Sequence, residues 1–448
     1  MRDSRLSGVL GHSSMTAAIA AGLAFCPISA PAAQYDLIHA FCQQGNCEDG
    51  RNPEAGLIRD NDGNFYGTAA VGGANDHGAA FELTFNSTTQ QYDYQILYNF
   101  CALAGCTDGA YPEAPLIMDI HGNLYGTTSQ GGAANLGTIF KLVRSEGYAV
   151  HVLHDFCATQ DCEDGSLPET GLTYPGQQTG ALYDGRSQLF GTTLRTDSRA
   201  DGSGVAYVLR NMPNQGGYHY EVLHSFCLTD CADGQFPSAL TIDDHTHLYG
   251  VAEGGGAAGD GHAGVLFKIR PHRKELKVLY DFCSQAGCTD GYEPAFRQAL
   301  VRDSGRNIYG TTLGGGTQGL GTVWKFAPHH GGGTLNVLYN FCSQANCADG
   351  TSPQFGVTLG PAGEVFGTTP DGGTCDVGNC GVVFELQGST YTLLHSFCAD
   401  GDPCAADGAK PFGALVLDPS GTLFGVADWG GGGAGGLTRG GTAFSVTP

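Results

Sequence analysis

Tyr94, Ile96, Tyr98 and Phe100 fall on alternate positions of the chain, with Gln95 and Asn99 between them. That period of two marks a strand with one buried face. Shorter runs follow, roughly Ala114–Asp119, Asn123–Thr128 and Gly137–Val143, and a second alternating run, Tyr148–Phe156, completes the set. Turn residues separate them, as at Asp108-Gly109 and His121-Gly122-Asn123. The pattern predicts four strands here and no coherent amphipathic helix.

The set recurs. An aromatic-glycine pair stands at Tyr66-Gly67, Tyr125-Gly126, Phe190-Gly191, Tyr249-Gly250, Tyr309-Gly310, Phe366-Gly367 and Phe424-Gly425. A Phe-Cys pair stands at Phe41-Cys42, Phe100-Cys101, Phe156-Cys157, Phe226-Cys227, Phe282-Cys283, Phe341-Cys342 and Phe397-Cys398. Seven units of four strands, each about 59 residues long, match propeller blades better than the shorter repeats of most solenoids. The expected fold is all-β, a seven-bladed β-propeller of four-stranded blades. Tyr35–Phe41 reads as a lone fourth strand and Gly441–Val446 as a third. The N-terminal strand would therefore close the ring and remove a free sheet edge. The third unit departs from the rest. It carries an insertion around Tyr174–Tyr183 and an enlarged loop near Arg195–Ser203, and it lacks the Gly-Gly pair seen at Gly131-Gly132.

Composition agrees: 72 glycines and only 15% charged residues suit short strands joined by tight turns. A net charge of −23 argues against nucleic acid or an anionic membrane as partner. Arg2 and Arg5, the apolar run Met15–Phe25 and the small residues Ser29–Ala33 read as a secretory signal. The predicted division is a signal peptide over 1–33 and a single seven-repeat domain over 34–448. The apolar run is too short to span a bilayer. The expected location is secreted, periplasmic or at the cell surface, as a monomer.

Seventeen cysteines resolve into local pairs: Cys42/Cys47, Cys101/Cys106, Cys157/Cys162, Cys227/Cys231, Cys283/Cys288, Cys342/Cys347, Cys398/Cys404 and Cys375/Cys380. Cys26 is left inside the signal. An even count behind an export signal reads as a disulfide framework of local staples. No histidine at a fixed offset supports zinc.

Val-Leu-Tyr-x-Phe, Asp-Gly-x-x-x-Pro, Gly-Asn-Leu-Tyr-Gly-Thr-Thr, Gly-Gly and Gly-Thr-Val-Phe-Lys, recurring over about 35–448, resemble the GloVer repeat of bacterial "choice-of-anchor" tandem-repeat proteins. The resemblance implies export and a repeat fold with differing C-terminal anchors, and it brings no catalytic residue. The chain departs from it at Pro448, where no hydrophobic tail or basic stop is found.

After each second cysteine comes an Asp-Gly: Asp49, Asp108, Asp164, Asp233, Asp290, Asp349 and Asp407. Two roles stand open. The aspartates either bond turn amides, or they ring one face and hold Ca2+ or a cationic ligand. No other cofactor or metal is expected. Gly254-x-Gly256-x-x-Gly259 and Gly314-x-Gly316-x-x-Gly319 match a dinucleotide pattern but precede no helix. No carboxylate pair stands apart as a glycosidase pair would. The near-equivalence of the units favours an extracellular module that binds a carbohydrate or protein. The alternative is a propeller hydrolase or lyase acting on polysaccharide or lactone.

Overall fold

The structure is a computed structural model. It describes residues 33–448 apart from 159–160, 197–202, 214–216, 258–262, 296, 331, 376–379, 399–403, 405–406 and 433–439. The predicted signal and most of the loop near Arg195–Ser203, with Asp197, Arg199 and Asp201, lie outside the described residues.

Seven antiparallel sheets stand in a ring, one for each aromatic-glycine pair, and are numbered here as blades 1 to 7 in that order. Blade 2 is typical: Ile117–Met118, Leu124–Thr128, Thr138–Val143 and Ala149–Asp155 pair in sequence order. Blade 7 is built from both ends of the chain. Gln34–Ala40 lies beside Thr442–Thr447, with Tyr35 opposite Val446, so the ring closes as the split end unit predicts. Blade 3 keeps only three full strands. Its first is reduced to a bridge from Thr173 to Phe190, because the insertion leaves the sheet at Tyr174.

Both recurring motifs meet at the blade interfaces. In every blade the aromatic-glycine's glycine lies opposite an aromatic of the third strand, as Gly126 does Phe140. A Cβ on Gly126 would sit 2.7 Å from that ring, and one on Gly310 2.5 Å from Trp324. The glycine is required by close approach. The same third-strand ring packs on the Phe-Cys phenylalanine of the preceding blade. Ring centroids are 5.2 Å apart for Phe41 and Phe81, 5.0 Å for Phe100 and Phe140, and 5.5 Å for Phe282 and Trp324. Phe41 follows the N-terminal strand in blade 7, so the first of these pairs joins blade 7 to blade 1.

Threonines add a polar clasp. The Thr127, Thr192 and Thr311 hydroxyls donate to carbonyls of Thr170, Ser238 and Phe355, each at the first strand of the next blade. First strands line the central channel, where Leu240, Leu300, Val357 and Leu415 of blades 4 to 7 face one cavity of about 380 Å³. Gln177 and Gln178 of the blade 3 insertion border that cavity. Among the described residues no helix is long and apolar enough to cross a membrane.

Candidate functional site

All eight expected cysteine pairs are disulfides: Cys42–Cys47, Cys101–Cys106, Cys157–Cys162, Cys227–Cys231, Cys283–Cys288, Cys342–Cys347, Cys375–Cys380 and Cys398–Cys404. The sequence presents them as plain staples, and the structure corrects that picture for seven. In these, both cysteines sit in the left-handed backbone region, with φ running from 47° at Cys162 to 59° at Cys342. Cys231, Cys288 and Cys347 repeat the value near 50°. Each such bridge therefore fixes two residues where a non-glycine side chain is rarely found. Cys375–Cys380 belongs to the Gly-Gly loop of blade 6 and lacks this feature.

The cysteine loops and the Gly-Gly loops share one face of the ring. In six blades the second glycine's amide donates to the second cysteine's carbonyl, as from Gly73 to Cys47 at 3.0 Å and from Gly132 to Cys106 at 2.9 Å. The carbonyls of Cys231, Cys288 and Cys347 accept the amides of Gly256, Gly316 and Gly373 in the same way. Blade 3 has no Gly-Gly pair, and its Cys162 carbonyl keeps the bond common to all seven loops, from the Gly165 amide at 2.9 Å, as Cys47 does from Gly50.

The seven aspartates lie in these loops, and each carboxylate is engaged within its own loop. Asp108 accepts the Ala102 amide at 2.8 Å, the Leu103 amide at 3.2 Å and the Tyr98 hydroxyl at 2.7 Å. Asp290 and Asp349 repeat the pattern with Tyr280 and Tyr339. Asp164, Asp233 and Asp407 take an imidazole of His154, His224 or His395 in place of the phenol, with the amide of Cys157, Cys227 or Cys398. Asp49 accepts the Gln43 and Gln44 amides. Asp108→Ala is expected to cost about 1–2 kcal/mol of stability by leaving two loop amides and the Tyr98 hydroxyl without their acceptor. Thermal unfolding reads the loss, and an unchanged midpoint contradicts the role.

A different set of groups converges at the channel. The residue after the proline that follows each Asp-Gly is Glu54, Glu113, Glu169, Ser238, Ala295, Gln354 and Phe412 in blades 1 to 7. Three consecutive blades thus present a glutamate at the start of the first strand. Blade 5 has two extra residues there and sends Arg297 to them. The guanidinium lies 3.4 Å from Glu54 Oε2 and 3.6 Å from Glu169 Oε2, and 5.7 Å from the centroid of the Phe412 ring. Phe412 packs in turn on Phe355, with ring centroids 4.1 Å apart. Glu113 accepts the Ser129 hydroxyl at 3.4 Å. Asp428 accepts the Asn52 side-chain amide at 2.7 Å.

Carboxylates outnumber cations here, and their protons show it. Burial, then repulsion from Asp428 and Glu169, pushes the Glu54 carboxyl up to about 7 against the pull of Arg297. Burial, then repulsion from Glu169 and Glu54, does the same to Glu113, also to about 7. Burial raises Glu169 too, although Arg297 and Arg195 draw it down. Arg195 opens the enlarged loop of the third unit, yet it is only partly exposed. Its Nε is buried and its charge is felt at Glu169, because blade 3's second strand ends beside the channel. Sequence reasoning passed over the glutamates. The signal was available in the position after the recurrent proline, read down the seven units.

The Gloeobacter/Verrucomicrobia repeat model matches residues 27–185 and 177–438. The chain belongs to this repeat family. The two matches meet inside the blade 3 insertion, where this member of the Gloeobacter/Verrucomicrobia repeat family departs most from its own pattern. A comparison with curated proteins returns no match. Solved structures with a similar course include a puromycin-hydrolyzing peptidase of Mycobacterium tuberculosis (10% identity, TM-score 0.46). That match covers 88% of this chain and 53% of the peptidase, so the chain spans about half the peptidase's length. A putative oxidoreductase (glucose dehydrogenase) of Thermus thermophilus matches at 12% identity and TM-score 0.38, over 75% of this chain and 96% of that one. A protein of Lactobacillus plantarum matches at 13% identity and TM-score 0.46, over 78% and 84%. These similarities carry no argument about activity.

Proposed function

We propose that this member of the repeat family is an exported binding module whose site is the channel mouth, where Glu54, Glu113 and Glu169 take a small organic cation. The observation that carries the reading is the convergence of three carboxylates from consecutive blades, with Glu54 and Glu113 held near 7 by burial and mutual repulsion. A cation entering that cluster relieves the repulsion, favours the ionised carboxylates and expels their protons. Phe412, half-buried and backed by the buried Phe355, gives an apolar surface for the rest of such a ligand. The eight disulfides support export, since such bridges persist in oxidising compartments.

Calorimetric titration with choline and putrescine at pH 7, in two buffers of different ionisation enthalpy, tests this. Saturable binding with net proton release is expected, weakened about tenfold or more by Glu113→Gln or Glu169→Gln, the loss of one close charge contact. Binding that takes up no buffer-dependent heat, or that survives both substitutions, sinks the reading.

One observation favours a second reading. Glu113 pairs with no cation among the described residues, and a carboxyl titrating near 7 can pass a proton at neutral pH. Glu113 would then be the general acid of a hydrolase. Turnover on polysaccharide or lactone panels that disappears in Glu113→Gln would replace binding by catalysis.

A further inference from the structure

On the face opposite the cysteine loops, between blades 4 and 5, the turn after each first strand and the turn after blade 5's third strand enclose a cleft of about 510 Å³. Lys268, Arg270, Arg302 and Arg306 line it, together with His245, His247, His329 and His330. The chain has only 21 lysines and arginines and a net charge of −23, so four of them around one cleft is a local reversal of sign.

The acids of the cleft, Asp243 and Asp244, have hydrogen-bond partners of their own. Asp243 is engaged by the amides of His245 and His247, by the His247 ring and by the Tyr249 hydroxyl. Asp244 bonds the His245 ring at 2.9 Å, and Arg270 pairs with Glu275 at 3.0 Å. Lys268, Arg302 and Arg306 form no ion pair among the described residues, and the Arg302 Nε is buried without a hydrogen-bond partner. Lys268 and Arg302 instead flank the Tyr249 ring, 5.1 and 5.0 Å from its centroid.

The arrangement breaks the repeat. Blade 2 has the same lysine-tyrosine stack, Lys141 over Tyr125 at 5.2 Å, and blade 5 has Lys325 over Tyr309 at 5.4 Å. Of these three stacks, the one at the junction of blades 4 and 5 gains arginines from the next blade, Arg302 ahead of the turn and Arg306 within it. In blade 6 the residue before the turn is Leu359. A purely structural stack needs the lysine and the tyrosine alone. Burial and the neighbouring Arg270, Arg302 and Lys277 hold the Lys268 ammonium below the usual lysine range, against the pull of Asp243. An anion seated among them would reverse that.

We infer that the cleft between blades 4 and 5 is a second binding site, for an oxyanion held by Lys268, Arg302 and Arg306. Guanidinium forks suit the tetrahedral oxygens of phosphate or sulfate. The oxyanion arrives either free or as a substituent of a saccharide. The site is independent of the channel mouth, which lies on the other face and carries the opposite charge.

Titration of the full oxidised chain with inorganic phosphate, inorganic sulfate and a sulfated disaccharide, at low and at physiological salt, tests the assignment. At least one probe is expected to saturate one site. Lys268→Met and Arg302→Met should each weaken it about tenfold or more, while Lys141→Met leaves it unchanged. Equal affinity for inorganic sulfate and the disaccharide assigns the site to a free anion, and tighter disaccharide binding assigns it to a glycan. The inference is overturned if no probe binds, or if Lys141→Met weakens binding as much as Lys268→Met, which would make the attraction diffuse. Thermal unfolding of each variant confirms that the compared chains are folded.

Discussion

Trp324→Ala is expected to lower stability by about 3–5 kcal/mol, the range for emptying a large aromatic site in a packed core. Trp324 is fully buried, lies against Phe282 of the preceding blade and covers Gly310. Its loss therefore opens an interface between blades and not the middle of one. Gly310→Ala should cost roughly 1–3 kcal/mol by overpacking, since the new Cβ meets Trp324 at 2.5 Å and Leu300 at 2.9 Å. In the Trp324→Ala background the same glycine substitution should cost clearly less, because the ring is gone and only the Leu300 contact remains. Denaturant unfolding of the four chains measures this coupling. Simple additivity would mean that the two motifs do not depend on each other.

The second large effect is a fall in stability as pH rises through neutrality. Glu54 and Glu113 titrate at about 7 in the folded chain and near the ordinary 4.5 when it unfolds. Between those values the folded state binds more protons. The stability they contribute is complete below the unfolded value and is lost as pH climbs through 7. Allowing for mutual coupling and partial exposure, the loss is on the order of 2 kcal/mol for each group. His39 acts in the opposite sense between about 4 and 6.5, because burial pushes its imidazole down to about 4. The informative quantity is therefore the difference between the native chain and Glu54→Gln/Glu113→Gln. The double variant should gain a few degrees in Tm at pH 8 and nothing at pH 4.5. A gain that is the same at both pH values would show that the substitutions merely repack the channel.

The interfaces between blades could be read from the sequence because each is assembled from motifs that every unit repeats. Phe100 and Phe140 meet as Phe341 and Phe384 do, so seven occurrences announce one contact. Ring closure was legible for the same reason, from a unit missing its fourth strand at one end and a lone fourth strand at the other. The cysteine pairing was equally plain, but the left-handed backbone at Cys162, Cys231, Cys288 and Cys347 was not, since no residue type there announces a positive φ. The channel mouth is the opposite case to the interfaces. Glu54, Glu113, Glu169 and Arg297 come from four different units, and Arg297 arrives only through a two-residue lengthening of blade 5. Repetition hides such positions, since a pattern found by matching units discards the places where they differ. The aspartates illustrate the converse. Their regularity made them visible as a ring, and in the structure their oxygens take amides of their own loops and, in six of the seven, a phenol or imidazole of the strand before.

Closure by Gln34–Ala40 also orders events in time. This strand precedes its partner, Thr442–Thr447, by about four hundred residues, so nothing made before the last blade can satisfy it. Six blades can pair internally as they emerge, while the seventh waits. Until it forms, Thr442–Thr447 has one open edge and the Phe41–Phe81 contact that seals blade 7 to blade 1 is absent. Closing the ring is therefore expected to be a search between distant segments, slowed by its large loop and exposed to pairing with another copy meanwhile. Short staples such as Cys42–Cys47, which form within five residues, do nothing to hasten it.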